Sequence, residues 1–303
     1  MSPEKQKKAA IDVLKKVLVS EHSGFYREKY SAHIDTVDAI IKGSEEWEAL
    51  PFLTRDDIQN SLYSDRLYIP FNDVRLVRAT SGTSGLGILT IPRVRLHPAP
   101  LFDKQYLQPD SIKRAVTFSG AHCVYADNFR KRFNLDSIYL DPGDVNISSR
   151  LFSIYKPDIL FGFPYAVASL LPHINDKELL KSVKVVSLFG EWCSELQWKN
   201  FEKHFPNALI ISEYASVESQ STLCGPCSEI IKNKERFVHP FPDSVYAELI
   251  DPATNSVITE EGVSGELVVT VLRNPAFPLI RYKTGDSARI IRSSCSCGIG
   301  TSV

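Results

Sequence analysis

Residues 79–85 read Ala-Thr-Ser-Gly-Thr-Ser-Gly, a composition typical of a loop that wraps an oxyanion. The glycines allow the backbone to approach a ligand closely, so that successive N–H groups converge on a phosphate. The strand-like runs 74–78 and 88–91 flank this segment, and a hairpin turn is the alternative interpretation. The segment lacks the Gly-Lys-Ser/Thr ending of a P-loop, which argues against a Walker-type NTPase. Side-chain hydroxyls add donors for phosphoryl oxygens, at Thr80, Ser81, Thr83 and Ser84.

Two further polar segments follow apolar runs that predict buried strands. Gly190 and Glu191 come directly after the run 183–189. Ligands of open α/β sheets bind just beyond the carboxyl ends of strands, so this pair is well placed to contact one. In the second segment, the Tyr214 ring offers a flat face for a heterocycle, and Glu218 offers a hard oxygen ligand for magnesium beside phosphates. The alternative for Gly190 and Glu191 is a plain turn between a strand and a helix. The alternative for Tyr214 and Glu218 is that both are ordinary surface residues.

A third polar segment is the tripeptide Thr284-Gly285-Asp286. We expect a tight turn here, because glycine favours turn conformations. Its aspartate would accept hydrogen bonds from the two hydroxyls of a ribose. A turn aspartate without a ligand is the more common case for such a tripeptide taken singly.

The positions of the six cysteines are more informative than their number. Cys123 and Cys193 stand alone in apolar surroundings, which predicts buried small side chains. The other four form two close pairs, Cys224 with Cys227 and Cys295 with Cys297. In a reducing compartment, such pairs indicate a metal site before a disulfide.

The composition sets the broad class of the protein. A chain of 303 residues with 43% hydrophobic residues predicts a globular protein of one large unit or two to three lobes. A formal net charge of -1 gives no reason to expect nucleic acid or an anionic membrane as a partner. The longest apolar run, 159–171, contains Pro164 and is too short to span a bilayer. We therefore expect a soluble cytoplasmic protein with no membrane partner.

The pattern of apolar runs predicts an α/β fold with layered, largely parallel sheets and flanking helices. Residues 1–62 are expected to be helical, with Thr54 as the N-cap of a helix. The region 63–240 alternates strands and helices and predicts a nucleotide-binding region. The region 241–303 predicts a small antiparallel sheet or barrel. The strand-like runs are 115–119, 137–140, 158–161, 183–189, 208–212, 245–250, 265–272, 279–283 and 288–292, and the helical runs between them are 166–174 and 194–204.

In this order, the segments resemble the adenylate-forming enzymes, and more narrowly their phenylacetate–coenzyme A ligase branch. The resemblance begins with Phe-Tyr-Arg at 25–27 and continues through 50–57, and it covers nearly the whole chain. It implies that Thr80, Ser81, Gly82, Thr83, Ser84 and Gly85 bind phosphate, that Gly190 and Glu191 line the adenine pocket, and that Glu213, Tyr214 and Ala215 contact the nucleotide. It also implies that Glu218 holds magnesium and that Asp286 binds the ribose. Thr83 and Glu218 are the residues we expect to be catalytic.

The resemblance also implies an activity. Such enzymes use ATP to convert a carboxylic acid into an acyl-adenylate and pyrophosphate, and a thiol, usually that of coenzyme A, then takes the acyl group. The substrate would be a small aryl or acyl carboxylic acid. Catalysis requires charge neutralisation on the triphosphate and in-line placement of the carboxylate. We expect Ser81, Glu191, Tyr214, Glu218 and Asp286 to surround one nucleotide.

Members of this branch often carry a cysteine–histidine segment and a Cys-x-Cys, which implies a structural zinc site here. Cys227, His239, Cys295 and Cys297 would be the four ligands, and Cys224 is the competing first ligand in a four-cysteine alternative. Thiolate and imidazole ligands in a tetrahedral arrangement suit zinc. Free thiols are the remaining alternative.

Two departures from the family pattern limit the expected activity. Leu86 stands where the phosphate loop normally continues into a lysine. The small mobile C-terminal domain, which carries the lysine that promotes adenylation, is expected to be missing from the chain. We therefore expect ATP binding but slow adenylation by the chain alone. The open alternatives are a non-catalytic nucleotide-binding module, transfer of the acyl group to a protein acceptor, a separate chain that carries the lid domain, and a homodimer.

Overall fold

The computed structural model describes residues 3–62, 64–74, 76–79, 90–93, 111–119, 134–216, 218–219, 221–274, 276–291 and 295–298. The predicted phosphate-binding residues Thr80, Ser81, Gly82, Thr83, Ser84 and Gly85 lie outside these ranges. The chain divides into two compact units. The first unit is Met1–His97, Ser216–Leu223 and His239–Val303, and the second is Pro98–Ala215 and Cys224–Val238. The predicted division at residues 62 and 240 stays a prediction.

The helices and strands of the described residues are numbered here in chain order. The α-helices are α1 (Pro3–Leu18), α2 (Phe25–Lys29), α3 (Ile34–Lys42), α4 (Arg55–Gln59), α5 (Val145–Tyr155), α6 (Pro164–Leu170), α7 (Lys177–Ser182), α8 (Glu195–His204) and α9 (Ser228–Lys232). Short 3-10 helices cover Ser31–His33, Trp47–Ala49, Ser64–Arg66, Phe71–Asp73 and Leu171–His173. The strands are β1 (Leu76–Ala79), β2 (Thr90–Arg93), β3 (Arg114–Phe118), β4 (Asp136–Leu140), β5 (Ile159–Gly162), β6 (Val185–Phe189), β7 (Leu209–Ser216), β8 (Ser221–Gly225), β9 (His239–Pro240), β10 (Val245–Ile250), β11 (Ser264–Val271) and β12 (Tyr282–Arg289).

A seven-stranded sheet forms the main layer, in the order β4-β3-β5-β6-β7-β8-β9. The pairs β3–β4, β3–β5, β5–β6 and β6–β7 are parallel. One face carries a cluster of buried apolar side chains. The strands contribute residues such as Val116, Leu160 and Val186, and helices α5, α6, α7 and α8 contribute residues such as Phe201. The prediction of a largely parallel sheet with flanking helices is therefore confirmed. No helix in the described ranges is long and apolar enough to cross a membrane.

Helix α4 begins at the predicted N-cap residue, Thr54. Thr54 accepts a hydrogen bond from the Asp57 backbone N–H at 3.3 Å, and the Asp57 carboxylate accepts one from the Thr54 N–H at 2.8 Å. This reciprocal capping box satisfies N–H groups that lack partners within the helix. It fixes the start of α4 and with it the position of Arg55.

The first unit contains the predicted small antiparallel sheet, in the order β10-β11-β12. The two strands predicted at 279–283 and 288–292 were wrong, because one strand, β12, spans 282–289. The expected Thr284-Gly285-Asp286 turn is instead a bulge within this strand, opposite a register shift between Glu266 and Val268. Gly285 has φ +78, a left-handed conformation that favours glycine, and the Thr284 hydroxyl donates to the Leu267 carbonyl at 2.8 Å. These local bonds hold the extra residues without ending the strand.

A buried ion pair joins the N-terminal segment to this small sheet. The Arg281 guanidinium lies 2.9 Å from one Glu248 oxygen and 3.2 Å from the other. The Trp47 indole N–H donates to Glu248 at 3.0 Å, and Arg281 also donates to the Glu48 carbonyl at 2.7 Å. Both charged side chains are almost fully buried, so each depends on the other for neutralisation of its charge.

Candidate functional site

Gly190 and Glu191 form the turn that follows β6 in the second unit. Gly190 has φ +82, and a Cβ atom there would lie 2.4 Å from the Phe163 ring, so only glycine fits. The Glu191 carboxylate accepts a hydrogen bond from the Tyr165 backbone N–H at 2.6 Å. Tyr165 lies in the first turn of α6, where a carboxylate is stabilised by the helix dipole. The turn is therefore rigid, and Glu191 itself is exposed at the strand end.

Glu213, Tyr214 and Ala215 lie on β7 of the same unit. Successive side chains of a strand face opposite sides of the sheet, so Glu213 and Tyr214 point to different faces. Tyr214 and Ala215 are half-buried. Glu213 is buried, and neither of its carboxylate oxygens has a hydrogen-bond partner among the residues that the structure describes. Burial alone raises the pKa of Glu213 well above its ordinary value.

Glu218, the predicted magnesium ligand, is held by an arginine in the first unit. The Arg55 Nη1 atom donates to Glu218 Oε1 at 3.0 Å, and the two side chains are only 18% and 14% exposed. The turn that carries Glu218 is stabilised by the Ser219 N–H, which donates to the Ser216 hydroxyl at 3.0 Å. The sequence interpretation missed the role of Arg55. The available signal was the position of Arg55 directly after Thr54, because the N-cap fixes the first residue of α4.

Tyr282 links Glu218 with the predicted ribose ligand, Asp286. Burial is the main cause that raises the pKa of the Tyr282 hydroxyl, and the negative charge of Glu218 raises it further. Arg55 lowers this pKa by its charge and by a side-chain hydrogen bond, while the charge of Asp286 raises it. Glu218 and Asp286 therefore act on the same phenol. The first unit therefore places both predicted site residues near Tyr282.

Asp286 itself is presented by the β12 bulge. Its backbone N–H donates to the Thr284 hydroxyl at 3.1 Å, and the Gly285 N–H donates to a Glu266 carboxylate oxygen at 3.2 Å. The backbone is thus fixed while the Asp286 side chain is exposed. A carboxylate held in this way can accept hydrogen bonds from vicinal hydroxyls without ordering the loop first.

Three of the predicted zinc ligands form one group in the first unit. The ligand atoms of His239, Cys295 and Cys297 lie within 4.8 Å of one another, and the Cys297 sulfur is 3.5 Å from His239 Nε2. His239 is buried, and both cysteines are partly exposed. Thiolates and an imidazole at this spacing are a donor set that suits zinc.

The two remaining cysteines of the prediction differ in their surroundings, and both belong to the second unit. The Cys227 sulfur accepts a hydrogen bond from the Ile230 N–H and caps α9. Cys224 is fully buried on β8, and burial raises the pKa of its thiol to about 12. Without a bound metal, the Cys224 side chain is therefore a neutral thiol at neutral pH.

The chain is similar to known proteins both in sequence and in fold. No protein-family model matches the chain. A phenylacetate-coenzyme A ligase of Pseudomonas putida is 24% identical over an alignment of 295 residues that covers 88% of this chain and 62% of that protein. A phenylacetate-coenzyme A ligase of Thermus thermophilus is 22% identical over an alignment of 277 residues that covers 85% of this chain and 59% of that protein. The chain is similar to phenylacetate-coenzyme A ligases over most of its length.

Solved structures show that the chain has the fold of coenzyme A ligases. An open conformation of 2-hydroxyisobutyryl-CoA ligase, in complex with 2-HIB-AMP and CoA, aligns with a TM-score of 0.79 and 17% identity. The alignment covers 99% of the chain and 67% of that protein. A long-chain-fatty-acid-CoA ligase from Archaeoglobus fulgidus aligns with a TM-score of 0.51 over 73% of the chain. The chain spans about 62% of the length of the Pseudomonas putida relative.

Proposed function

We propose that the chain uses ATP to activate a small carboxylic acid as an acyl-adenylate and then transfers the acyl group to coenzyme A. The observation that carries this proposal is the arrangement around Tyr282, near which the first unit holds Asp286 and the Arg55–Glu218 pair. These residues match the magnesium and ribose positions that the family resemblance implies. The names of the relatives, which are coenzyme A ligases, support the same reaction.

The proposed first step is an in-line displacement at phosphorus. A carboxylate oxygen of the acid attacks the α-phosphorus of ATP, the bond to the bridging oxygen of the β-phosphate breaks, and pyrophosphate leaves. The backbone N–H groups and hydroxyls of Thr80–Gly85, with Thr83 as a catalytic donor, would hold the phosphates. Asp286 would accept hydrogen bonds from the ribose, and the Tyr214 ring would stack on the base. In the second step the coenzyme A thiol attacks the acyl carbonyl and AMP leaves.

The Glu218 carboxylate is a suitable ligand for magnesium, but one of its oxygens already accepts a hydrogen bond from Arg55. Arg55 occupies Oε1, so a divalent cation at this residue needs Oε2 or displacement of Arg55. A bound magnesium ion supplies neutralisation of the phosphate charge. In its absence Arg55 keeps the carboxylate in place and neutralised.

We propose a structural zinc site formed by Cys227, His239, Cys295 and Cys297. The three-residue group of the first unit supports it, as does the CGPC spacing that supplies Cys227. A four-ligand set leaves no open position, which is typical of zinc that stabilises a fold. Thiolate ligands fit the reducing conditions of the cytoplasm, where we expect the protein to act.

ATP–pyrophosphate exchange with a panel of aryl and alkyl acids tests the proposed activity. We expect exchange that depends on the acid and on ATP, and we expect Asp286→Ala to reduce it by about tenfold or more. Asp12→Ala, a change at an exposed position of α1, is the matched control and should not alter the rate. Exchange without any dependence on the acid would contradict acyl-adenylate formation.

The Arg55–Glu218 pair favours a second candidate, a module that binds nucleotide without activating an acid. An arginine bound to the predicted metal ligand would then replace the metal, since both neutralise the same carboxylate. This candidate predicts that ATP binds equally well with and without magnesium and that no acid supports pyrophosphate exchange. Transfer to a protein acceptor would instead give normal exchange but no coenzyme A thioester.

A further inference from the structure

Glu213 is a buried carboxyl group that has no hydrogen-bond partner in the part of the chain that the structure describes. Only 4% of the residue is exposed, and both side-chain oxygens are without a partner. A buried polar group in this state costs about 1–3 kcal/mol, so such groups are rare in native proteins. The fold has no need of a carboxyl at this place, since the strand would form equally well with an apolar residue. A ligand that completes the hydrogen bonds would explain its presence.

The same face of the sheet carries two more buried polar side chains without partners. The hydroxyls of Thr117 on β3 and Ser187 on β6 are both fully buried and unsatisfied among the described residues. The register places Thr117 beside Phe161, Phe161 beside Ser187, and Ser187 beside Ile211. Glu213 is two residues beyond Ile211 on β7, and therefore points to the same side. Three buried polar groups without partners among the described residues therefore lie on one face of the sheet.

Aromatic rings lie between these polar groups. Phe189 is directly opposite Glu213 in the register of β6 and β7. Its ring stacks on Phe161, with 4.1 Å between the centroids, and lies 5.0 Å from the Phe163 ring. This cluster stands at the carboxyl ends of parallel strands, where ligands of α/β sheets bind. A flat aromatic group packs well against such rings.

We propose that Glu213 determines specificity by accepting a hydrogen bond from a hydroxyl or amino group on the ring of an aromatic acid. This inference rests on the proposed function and names the class of acid that the chain would activate. It also assigns Glu213 to the acid rather than to the nucleotide, because Tyr214 faces the other side of the sheet. Burial favours the neutral carboxyl, which still offers an accepting oxygen and an O–H donor. An unsubstituted ring would leave Glu213 unpaired, and a site built to bind a polar group rejects an analogue that lacks it.

Titration calorimetry of the 303-residue chain with three acids tests this inference. The acids are phenylacetate, 4-hydroxyphenylacetate and 4-aminophenylacetate. We expect one or both substituted acids to bind at least about tenfold more tightly than phenylacetate. Glu213→Leu should remove this preference, and Glu178→Leu, the same change at an exposed helix position, should keep it. Glu213→Gln keeps an accepting oxygen for a ring hydroxyl or amino group, so it should retain most of the preference that Glu213→Leu loses.

The outcomes distinguish this inference from the proposed function. Equal affinity for all three acids, an unchanged ranking in Glu213→Leu, or no binding of any acid overturns the role of Glu213. A separate titration with ATP and magnesium is independent of Glu213 and tests the nucleotide site. Loss of ATP binding therefore contradicts the proposed function, while a changed acid ranking still reports on Glu213. Thermal unfolding of Glu213→Leu shows whether the variant is folded.

Discussion

The guanidinium of Arg55 lies 3.0 Å from the carboxylate of Glu218, and both side chains are largely shielded from water. Arg55 starts a helix that is fixed by the Thr54 cap, and Glu218 lies in a turn held by Ser216 and Ser219. The helix cap therefore fixes the position of Arg55, and the turn fixes that of Glu218, so the two charges stay in contact. In the proposed function, this pair would control how easily Glu218 binds a cation.

The first prediction concerns Arg55→Gln. Removing the guanidinium abolishes its repulsion of a divalent cation and frees Glu218 Oε1, so pyrophosphate exchange should need several-fold less magnesium. A magnesium titration of the exchange rate measures this change. Glu218→Gln should have the opposite effect, since an amide is a poor magnesium ligand. The same magnesium midpoint in all three proteins would show that Glu218 does not bind the metal.

The second prediction concerns the buried pair of Arg281 and Glu248. Glu248→Gln leaves an uncompensated guanidinium in the protein interior, so the free energy of unfolding should fall by about 3–5 kcal/mol. Urea unfolding followed by circular dichroism measures it. The control is Glu178→Gln, which breaks an exposed pair with Lys181 and should change stability by less than about 0.5 kcal/mol. Similar losses in the two variants would contradict the importance of burial.

The third prediction is a pH dependence that Glu213 causes. Its pKa is raised by burial above the ordinary value of 4.5, so between these two values the folded chain keeps a proton that the unfolded chain has lost. This contribution to stability is complete below 4.5 and is lost as the pH rises toward the folded pKa. Glu213→Leu should therefore raise the melting temperature more at pH 8 than at pH 5. A constant difference between variant and wild type across this range would show that the carboxyl titrates alike in the folded and unfolded states, so that burial does not raise its pKa.

Much of the architecture could be predicted from the sequence because apolar runs report burial directly. The run 245–250 became β10 without change, and the hydroxyl of Thr54 capped α4 as expected. The bulge at Gly285 was not predictable, since a glycine that ends a strand and one that bends it look alike in sequence. The contact of Arg55 with Glu218 joins residues far apart along the chain, so no local pattern reveals it. The burial of Glu213 depends on the pleat of β7, and its acidic character alone predicts an exposed side chain.

The fourth prediction concerns the metal site. Protein purified without a metal-affinity step should contain about one zinc ion per chain, and Cys297→Ser or His239→Ala should lose it and melt at a lower temperature. Metal analysis by mass spectrometry with thermal unfolding measures both effects. Cys193→Ser is the control, because this cysteine is buried in the apolar core of the second unit. Cys224→Ser should also keep its zinc, and loss of zinc in that variant would favour the four-cysteine alternative.

Calorimetric titration with ATP and magnesium, of the wild-type chain and of Asp286→Ala, tests the central claim most directly. The account predicts that the wild type binds ATP and that the variant binds at least about tenfold more weakly, because the ribose loses charge-assisted hydrogen bonds. Asp12→Ala should bind like the wild type. Absence of ATP binding by the wild type, or equal affinity in Asp286→Ala, would contradict a nucleotide site at Asp286.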